Sequence, residues 1–336
     1  MPDKIEMVRF GIVGFGLHAT KRLMPGFAKA KNSRVSALSR RNLEEARASA
    51  QQFNIPLAFD SVEQLSQSPE VDAVLVTTPN AVHLHDVLVA LSHGKPVLVE
   101  KPMGVNAKEC RQMVEAAHKK NLLLGVAQVF RFEESVRRLR ERVAAGEIGK
   151  PIFARSEFSF NGRGHARKWM NDLSISGGGP IADIGVHCID ALRYILNDEI
   201  VRVSASTTAD SESKQVEATA LLGLEFKRGT LGSVAVSTRA EYRTPLELVG
   251  ETGVLRVDDA LNVERPVLIQ LRRGWDVVDS EEVSNQLAYA RQVDAFADAV
   301  EGKASFPVPG EEGWRNQLVL DAAYRSARTG KSEEVK

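Results

Sequence analysis

Through its first 125 residues the chain repeats one pattern, a short run of Val, Leu and Ile followed by a longer amphipathic stretch. Residues 8–13, 35–39, 73–77, 97–100 and 122–127 have the length and near-continuous apolar content of strands buried on both faces. Residues 18–30, 43–53, 83–93 and 107–119 carry apolar side chains at three- and four-residue spacing, as helices with one buried face do. Strand and helix alternating at this interval predict a doubly wound parallel sheet, because each helix carries the chain back to start a parallel neighbour.

From about residue 150 the rhythm changes. Segments 151–160, 201–208, 216–224, 230–238, 246–249, 254–257 and 267–271 are strand-length, and most have no helix between them. Turn sequences such as Lys227-Arg228-Gly229 and Gly250-Glu251-Thr252-Gly253 separate them, which predicts a mainly antiparallel sheet. Helices are expected at about 181–196, 285–301 and 310–329, with a linking helix at 133–145. The expected division is a nucleotide-binding domain over 1–127 and an α+β domain over 128–336.

Composition narrows the partners. Lys+Arg and Asp+Glu both total 44, so the chain has no net charge with which to attract nucleic acid or an anionic membrane. Arg137, Arg138, Arg140 and Arg142 alternate with Glu133, Glu134 and Glu141 and read as a solvated helix face. No apolar run approaches the ~20 residues that span a bilayer, and Met1 to Met7 has no apolar core of signal-peptide length. The two cysteines, Cys110 and Cys188, form neither a disulfide framework nor a zinc pattern, so no metal is expected and a reducing, cytoplasmic setting is.

Strand, Gly14-x-Gly16-x-x-Ala19, helix is the dinucleotide-binding pattern in its Ala-ended form. Gly14 allows the tight turn, Gly16 lets a pyrophosphate approach the backbone, and Ala19 keeps the helix close to the strand. Phe15 and Leu17 fall inside the same loop, and the helix N-terminus beyond it favours phosphate. An NAD site places an acid about 20 residues on, to accept from a ribose hydroxyl. Here the second strand ends Ser39-Arg40-Arg41, with two guanidinium groups suited to a 2′-phosphate, so NADP is the expected cofactor, with NAD the alternative. Thr77, Thr78, Asn80 and His83 follow the next strand, and Gln128 and Trp169 lie further on; all are candidates to line the cofactor.

Three residues are candidates for proton transfer. Lys101 follows Glu100 at the end of an apolar strand, on the sheet edge where ligands bind in such folds. Asp183 and His187 are four residues apart, so a helix puts them on one face, where a carboxylate sets the tautomer of an imidazole acting as general base. Gly177-Gly178-Gly179 before them allows close backbone approach. Arg131 is a candidate for holding substrate, together with these three. Asp190 and Asp172 are weaker candidates, and the remaining histidines (His18, His85, His93, His118 and His165) show no partner pattern.

Taken in order, Gly11 to Gly16, Thr78-Pro79-Asn80 with His83, Gly94 to Pro102, and Ser176 to Asp190 resemble the glucose–fructose oxidoreductase/inositol dehydrogenase (Gfo/Idh/MocA) family over nearly the whole chain. The resemblance implies a Rossmann domain followed by an α/β domain with a large open sheet, whose outer face mediates dimer or tetramer contacts. It implies that His187 is the general acid/base, that Lys101 assists at the substrate oxygen, and that Asp183 orients them. It also implies an unusual backbone at Lys101–Pro102. The expected activity is hydride transfer between NADP and a sugar, polyol or related hydroxy-carbonyl compound. Arg40 and Arg41 argue against an inositol substrate, and His187 in place of a tyrosine argues against pentoses and diols. Two alternatives remain, a cofactor-binding sensor without turnover and a cofactor-assisted glycosidase.

Overall fold

The computed structural model describes residues 7–164, 168–211 and 215–336. His165 and Met1 to Glu6 lie outside them. The chain divides into two compact units, Met1–Ala127 with Tyr289–Trp314, and Gln128–Ala288 with Arg315–Lys336.

The first unit is built on six parallel strands, β1 (Val8–Val13), β2 (Ser33–Ser39), β3 (Leu57–Phe59), β4 (Ala73–Val76), β5 (Val97–Glu100) and β6 (Leu124–Ala127), in the order β3-β2-β1-β4-β5-β6. β4, β5 and β6 are buried at every position, which is why they read as unbroken apolar runs. The connecting helices are α1 (Met24–Phe27), which continues a π-helical turn over Ala19–Leu23, then α2 (Leu43–Phe53), α3 (Val62–Gln67), α4 (His83–Ser92) and α5 (Ala107–Lys120). Asn42 caps α2 by accepting from the Glu44 and Glu45 amides, and Asn54 ends it in the left-handed region at φ 54°.

The second unit opens with α6 (Glu134–Ala144), then β7 (Pro151–Ser159), α7 (Leu173–Ser176) and α8 (Val186–Leu196), the last preceded by a π-helical turn over Ile181–Gly185. There follow β8 (Ile200–Thr208), β9 (Thr219–Phe226), β10 (Leu231–Ser237), β11 (Leu246–Gly250), β12 (Val254–Val257), β13 (Pro266–Arg273), β14 (Asp276–Ser284) and, at the end of the chain, β15 (Glu333–Glu334). With β7 they form one nine-stranded sheet, ordered β14-β13-β12-β11-β7-β10-β9-β8-β15. Among the described strands of this sheet only the β7–β10 pairing is parallel. Ala154, Ser156 and Phe158 lie on the sheet face against which α8 packs. On the opposite face Leu221, Leu231 and Leu268 are 61%, 50% and 46% exposed.

Two helices, α9 (Ala288–Val300) and α10 (Gly310–Thr329), fall where the sequence places them. From Tyr289, through α9 and into the first turn of α10 at Trp314, the chain re-enters the first unit, which a single cut after residue 127 does not anticipate. There Phe296 packs 6.0 Å from Phe10, Phe306 packs against Phe296, and Val126 N–H donates to Val308 O at 2.9 Å. A Cβ on Gly125 would fall 2.6 Å from the Phe306 ring. Among the described residues no helix is long and apolar enough to cross a membrane.

Candidate active site

In the first unit the glycine turn leaves the carboxyl end of β1. Gly14 has φ +81°, and a Cβ there would fall 2.6 Å from Thr78 Cγ2, so no other residue fits without strain. The Gly14 and Phe15 amides donate to Ser39 O at 3.2 and 3.0 Å, which fixes Ser39 beside the turn. Thr77 Oγ1 donates to Val13 O and Gly14 O. A Cβ on Gly16 would meet only Gly14 O, at 3.7 Å. That leaves the space in front of the first helical amides open, as a pyrophosphate requires, so the residues fit a dinucleotide. Phe15 is 1% exposed and packs edge-on against Phe53, so its ring belongs to the core and only its backbone faces the loop. Leu17 is exposed at the first turn.

Arg40 behaves differently from the sequence expectation. Its Nη1 donates to Ser49 Oγ at 2.9 Å and its Nη2 to Glu45 Oε2 at 2.5 Å. The strand end carries no acid, yet α2 brings one to it. Arg41 is exposed.

Beyond β4, Thr78 Oγ1 donates to Asp86 Oδ2 at 2.7 Å, and Asn80 is buried in a 3₁₀ turn. His83 has no exposed surface. Its Nδ1 lies 3.1 Å from Pro102 O and its Nε2 2.8 Å from Thr78 O, and burial lowers its pKa from the ordinary value against the pull of those carbonyls. It therefore ties the turn after Lys101 to the turn after β4. The Lys101–Pro102 peptide bond is cis. Glu100 accepts from Lys101 N–H at 3.2 Å and lies 2.9 Å from His18 Nε2. Burial would raise the Glu100 pKa, but the His18 ring and the Lys101 ammonium outweigh it and hold the carboxyl below its usual range. His18, which shows no partner pattern in the sequence, is thus brought to Glu100 beside Lys101; its place two positions after Gly16 is the available signal.

In the second unit Asp183 sits in the π-helical turn and His187 in the first turn of α8. The His187 ring is 7% exposed, 4.5 Å from Phe130 and 6.2 Å from Phe158, which in turn meets Tyr242 edge-on at 6.4 Å. Asp183 lines a cavity of about 400 Å³ together with Phe160, Lys168, Asn171, Glu217 and Arg239. Arg239 pairs with Asp210 and donates to Thr238 O at 2.9 Å. Trp169 lies half-buried in a 3₁₀ turn whose Lys168, Met170 and Asn171 line this cavity. Asp172 caps α7 through the Ser174 amide. Gln128 is 1% exposed, and neither atom of its amide has a partner among the described residues, which suits it to a bound ligand.

Arg131 is paired within the chain. Its side chain is 5% exposed, its Nε and Nη2 donate to Asp190 at 2.8 and 2.7 Å, and its guanidinium stacks over Tyr194. Asn316 also donates to Asp190, at 2.7 Å, and accepts from Arg193 at 2.6 Å. Arg131 belongs to a buried ionic network, because Asp190 comes within reach one helical turn after His187.

Comparison with known proteins gives a consistent result. The family model described as "Oxidoreductase family, NAD-binding Rossmann fold" (GFO_IDH_MocA) matches residues 8–128, and the GFO/IDH/MocA C-terminal domain model matches residues 136–256. The chain is 30% identical over 337 residues to 1,5-anhydro-D-fructose reductase of Ensifer adhaerens, covering 98% of this chain and 99% of that one. It is 30% identical over 327 residues to D-xylose 1-dehydrogenase (NADP(+)) 2 of Haloferax volcanii, covering 97% and 99%. Aldose–aldose oxidoreductase from Caulobacter crescentus, solved with glycerol, has the same fold, with a TM-score of 0.89 at 24% identity over 98% of this chain and 100% of that one.

Proposed function

The chain belongs to the Gfo/Idh/MocA oxidoreductase family, and from that premise we propose that it transfers a hydride between NADP and a carbinol or carbonyl carbon of a sugar or polyol. The observation that carries this reading is the position of Lys101. Strand order reverses between β1 and β4, and in open α/β sheets ligands bind at the carboxyl edge of such a reversal. The glycine turn leaves that edge from β1, and Lys101 leaves it from β5, next to β4. A bound nicotinamide supplies the hydride donor or acceptor. Lys101 donates a hydrogen bond to the reacting oxygen, and His187 takes or returns the hydroxyl proton. Asp183, lining the second unit's cavity, holds a substrate hydroxyl or the proton relay in place.

Ser39, Arg40 and Arg41 support NADP over NAD, since guanidinium groups match a 2′-phosphate and the strand end supplies no carboxylate to a 2′-hydroxyl. The preference is modest in this reading, because the phosphate must displace Glu45 from Arg40. Buried, unbridged Cys110 and Cys188 support a reducing, cytoplasmic setting. Exposed Leu221, Leu231 and Leu268 on the outer face of the nine-stranded sheet support a homodimer or homotetramer through that face.

The test is nicotinamide reduction or oxidation with D-xylose, myo-inositol, D-glucose and 1,5-anhydro-D-fructose, with NADP and NAD in parallel. Lys101→Met should lower kcat by ~10²–10⁴-fold while cofactor affinity, measured by fluorescence titration, stays nearly constant. Tight cofactor binding without net turnover on any member would overturn the reading in favour of a sensor or a cofactor-assisted glycosidase, which sugar release from aryl glycosides tells apart.

A further inference from the structure

We propose that Glu217 is a positioning residue, a carboxylate that clamps the start of the helical segment carrying Asp183 and so aims Asp183 into its cavity. The proposal rests on the reading of Asp183 as an acting group.

Glu217 lies two residues before β9, far in sequence from the segment it caps. Its Oε2 accepts from the Gly179 amide at 3.0 Å, and its Oε1 accepts from the Ile181 amide at 2.9 Å. Oε1 also accepts from the Tyr324 hydroxyl of α10 at 3.0 Å. The π turn and α8 run on without interruption from Ile181 to Leu196, and the residue before them is Pro180, which has no capping side chain. The orphan amides of this helix start are therefore satisfied from outside, by a charge of the sign a helix N-terminus favours.

The connection to Asp183 is short. Gly179 N–H donates to Glu217, and Gly179 O accepts from the Asp183 amide at 3.0 Å and the Ala182 amide at 3.1 Å. One residue, Gly179, thus separates the clamp from the backbone of Asp183. Both carboxylates line the same cavity.

The glycine run fits this role. A Cβ on Gly178 would fall 1.8 Å from Tyr324 Oη, and one on Gly179 would fall 2.1 Å from Glu217 O. Gly178 and Gly179 leave room for the two residues that hold the turn. Burial raises the Glu217 pKa from the usual carboxylate value, against the Ile181 and Gly179 amides and the Tyr324 hydroxyl, so the group is costly to bury and is retained with three donors around it.

The experiment compares Glu217→Ala, Glu217→Gln, Tyr324→Phe and Asp183→Asn in the full chain. It reads kcat and KM for the panel sugar turned over fastest, NADP affinity by fluorescence, and amide hydrogen exchange over residues 179–183. Asp183→Asn should abolish turnover. Glu217→Ala should lower kcat by ~10–10²-fold, as small misplacements of a reacting group do, with KM and NADP affinity within about 3-fold of wild type. Exchange at 179–183 should quicken by ~10-fold or more. Glu217→Gln, which keeps an acceptor oxygen, should recover most of the kcat, and Tyr324→Phe should fall between. Wild-type kcat or unchanged exchange in Glu217→Ala, beside an inactive Asp183→Asn, overturns the clamp. A raised KM with kcat intact also overturns it, by making Glu217 a substrate contact. An active Asp183→Asn overturns the reading beneath it. If Glu217→Ala does not fold, Glu217→Gln and Tyr324→Phe still decide: faster exchange with a lower kcat supports the clamp, and neither change in either variant overturns it.

Discussion

Glu45 Oε2 lies 2.5 Å from Arg40 Nη2, so the carboxylate occupies the guanidinium edge that the proposed 2′-phosphate would meet. The ion pair is largely exposed, with side-chain exposures of 35% and 57%, and pairs of this kind contribute only ~0.2–1 kcal/mol. Removing the competitor should therefore have a small and directional effect. Glu45→Gln is expected to tighten NADP by no more than about fivefold and leave NAD unchanged, while Arg40→Ala weakens NADP by ~10-fold or more. Parallel titrations of both cofactors decide it; equal shifts for NAD and NADP would place Arg40 away from the phosphate.

His83 makes a pH-dependent contribution to stability. Burial holds its folded pKa below the ordinary 6.5, so on acidification the unfolded chain takes up this proton first. The unfolded state then binds more protons, and stability falls as pH drops from about 6.5 towards the folded pKa. The difference in Tm between wild type and His83→Gln should change across pH 7.5 to 5, with the wild type losing more. A constant difference would show that His83 does not shift in pKa on folding.

Glu133 carries the opposite sign. It is fully buried, neither oxygen has a partner among the described residues, and burial raises its pKa well above the ordinary 4.5. The folded state keeps a proton that the unfolded state releases, so stability falls as pH rises from about 4.5 towards the folded pKa. Glu133→Met should stabilise the chain by about 1–3 kcal/mol at pH 8, the range for an unsatisfied buried polar group, with a smaller gain near pH 4.5. Urea unfolding at the two pH values measures both terms.

Arg131→Met leaves Asp190 buried without its bidentate partner. The expected loss is about 3–5 kcal/mol in urea unfolding, and Arg131→Met with Asp190→Leu should lose less than Arg131→Met alone. Any protein that folds should keep its KM for substrate within about threefold, since Arg131 faces Asp190. A large KM change at full stability would return Arg131 to the substrate.

The elements most legible in the sequence are those whose burial leaves one pattern possible. β1, β5 and β12 fall at their expected bounds because apolar residues could go nowhere else. β14 escaped notice because it is a sheet edge, and Asp276-Val277-Val278-Asp279-Ser280 is exposed along its length, as edge strands tend to be. β3 has three residues, too few for any period to show. In the site, Gly14 was readable because its positive φ demands glycine. The His18–Glu100 contact spans 82 positions and the Glu217–Gly179 clamp 38, and no local pattern encodes such distances. The Arg131–Asp190 pair is illegible for a related reason: a guanidinium looks the same in sequence whether its carboxylate belongs to the chain or to a ligand.

The return of residues 289–314 to the first unit sets an order of events during synthesis. When Ala127 leaves the ribosome all six strands of the parallel sheet exist, yet the rings of Phe296 and Phe306 that cover Phe10 and Gly125, and the Val308 carbonyl that takes the Val126 amide, have not been made. The nucleotide-binding half of the protein must wait for more than 160 further residues before its core closes, so a chain released at Ala127 would leave Phe10 and Gly125 without the rings that cover them.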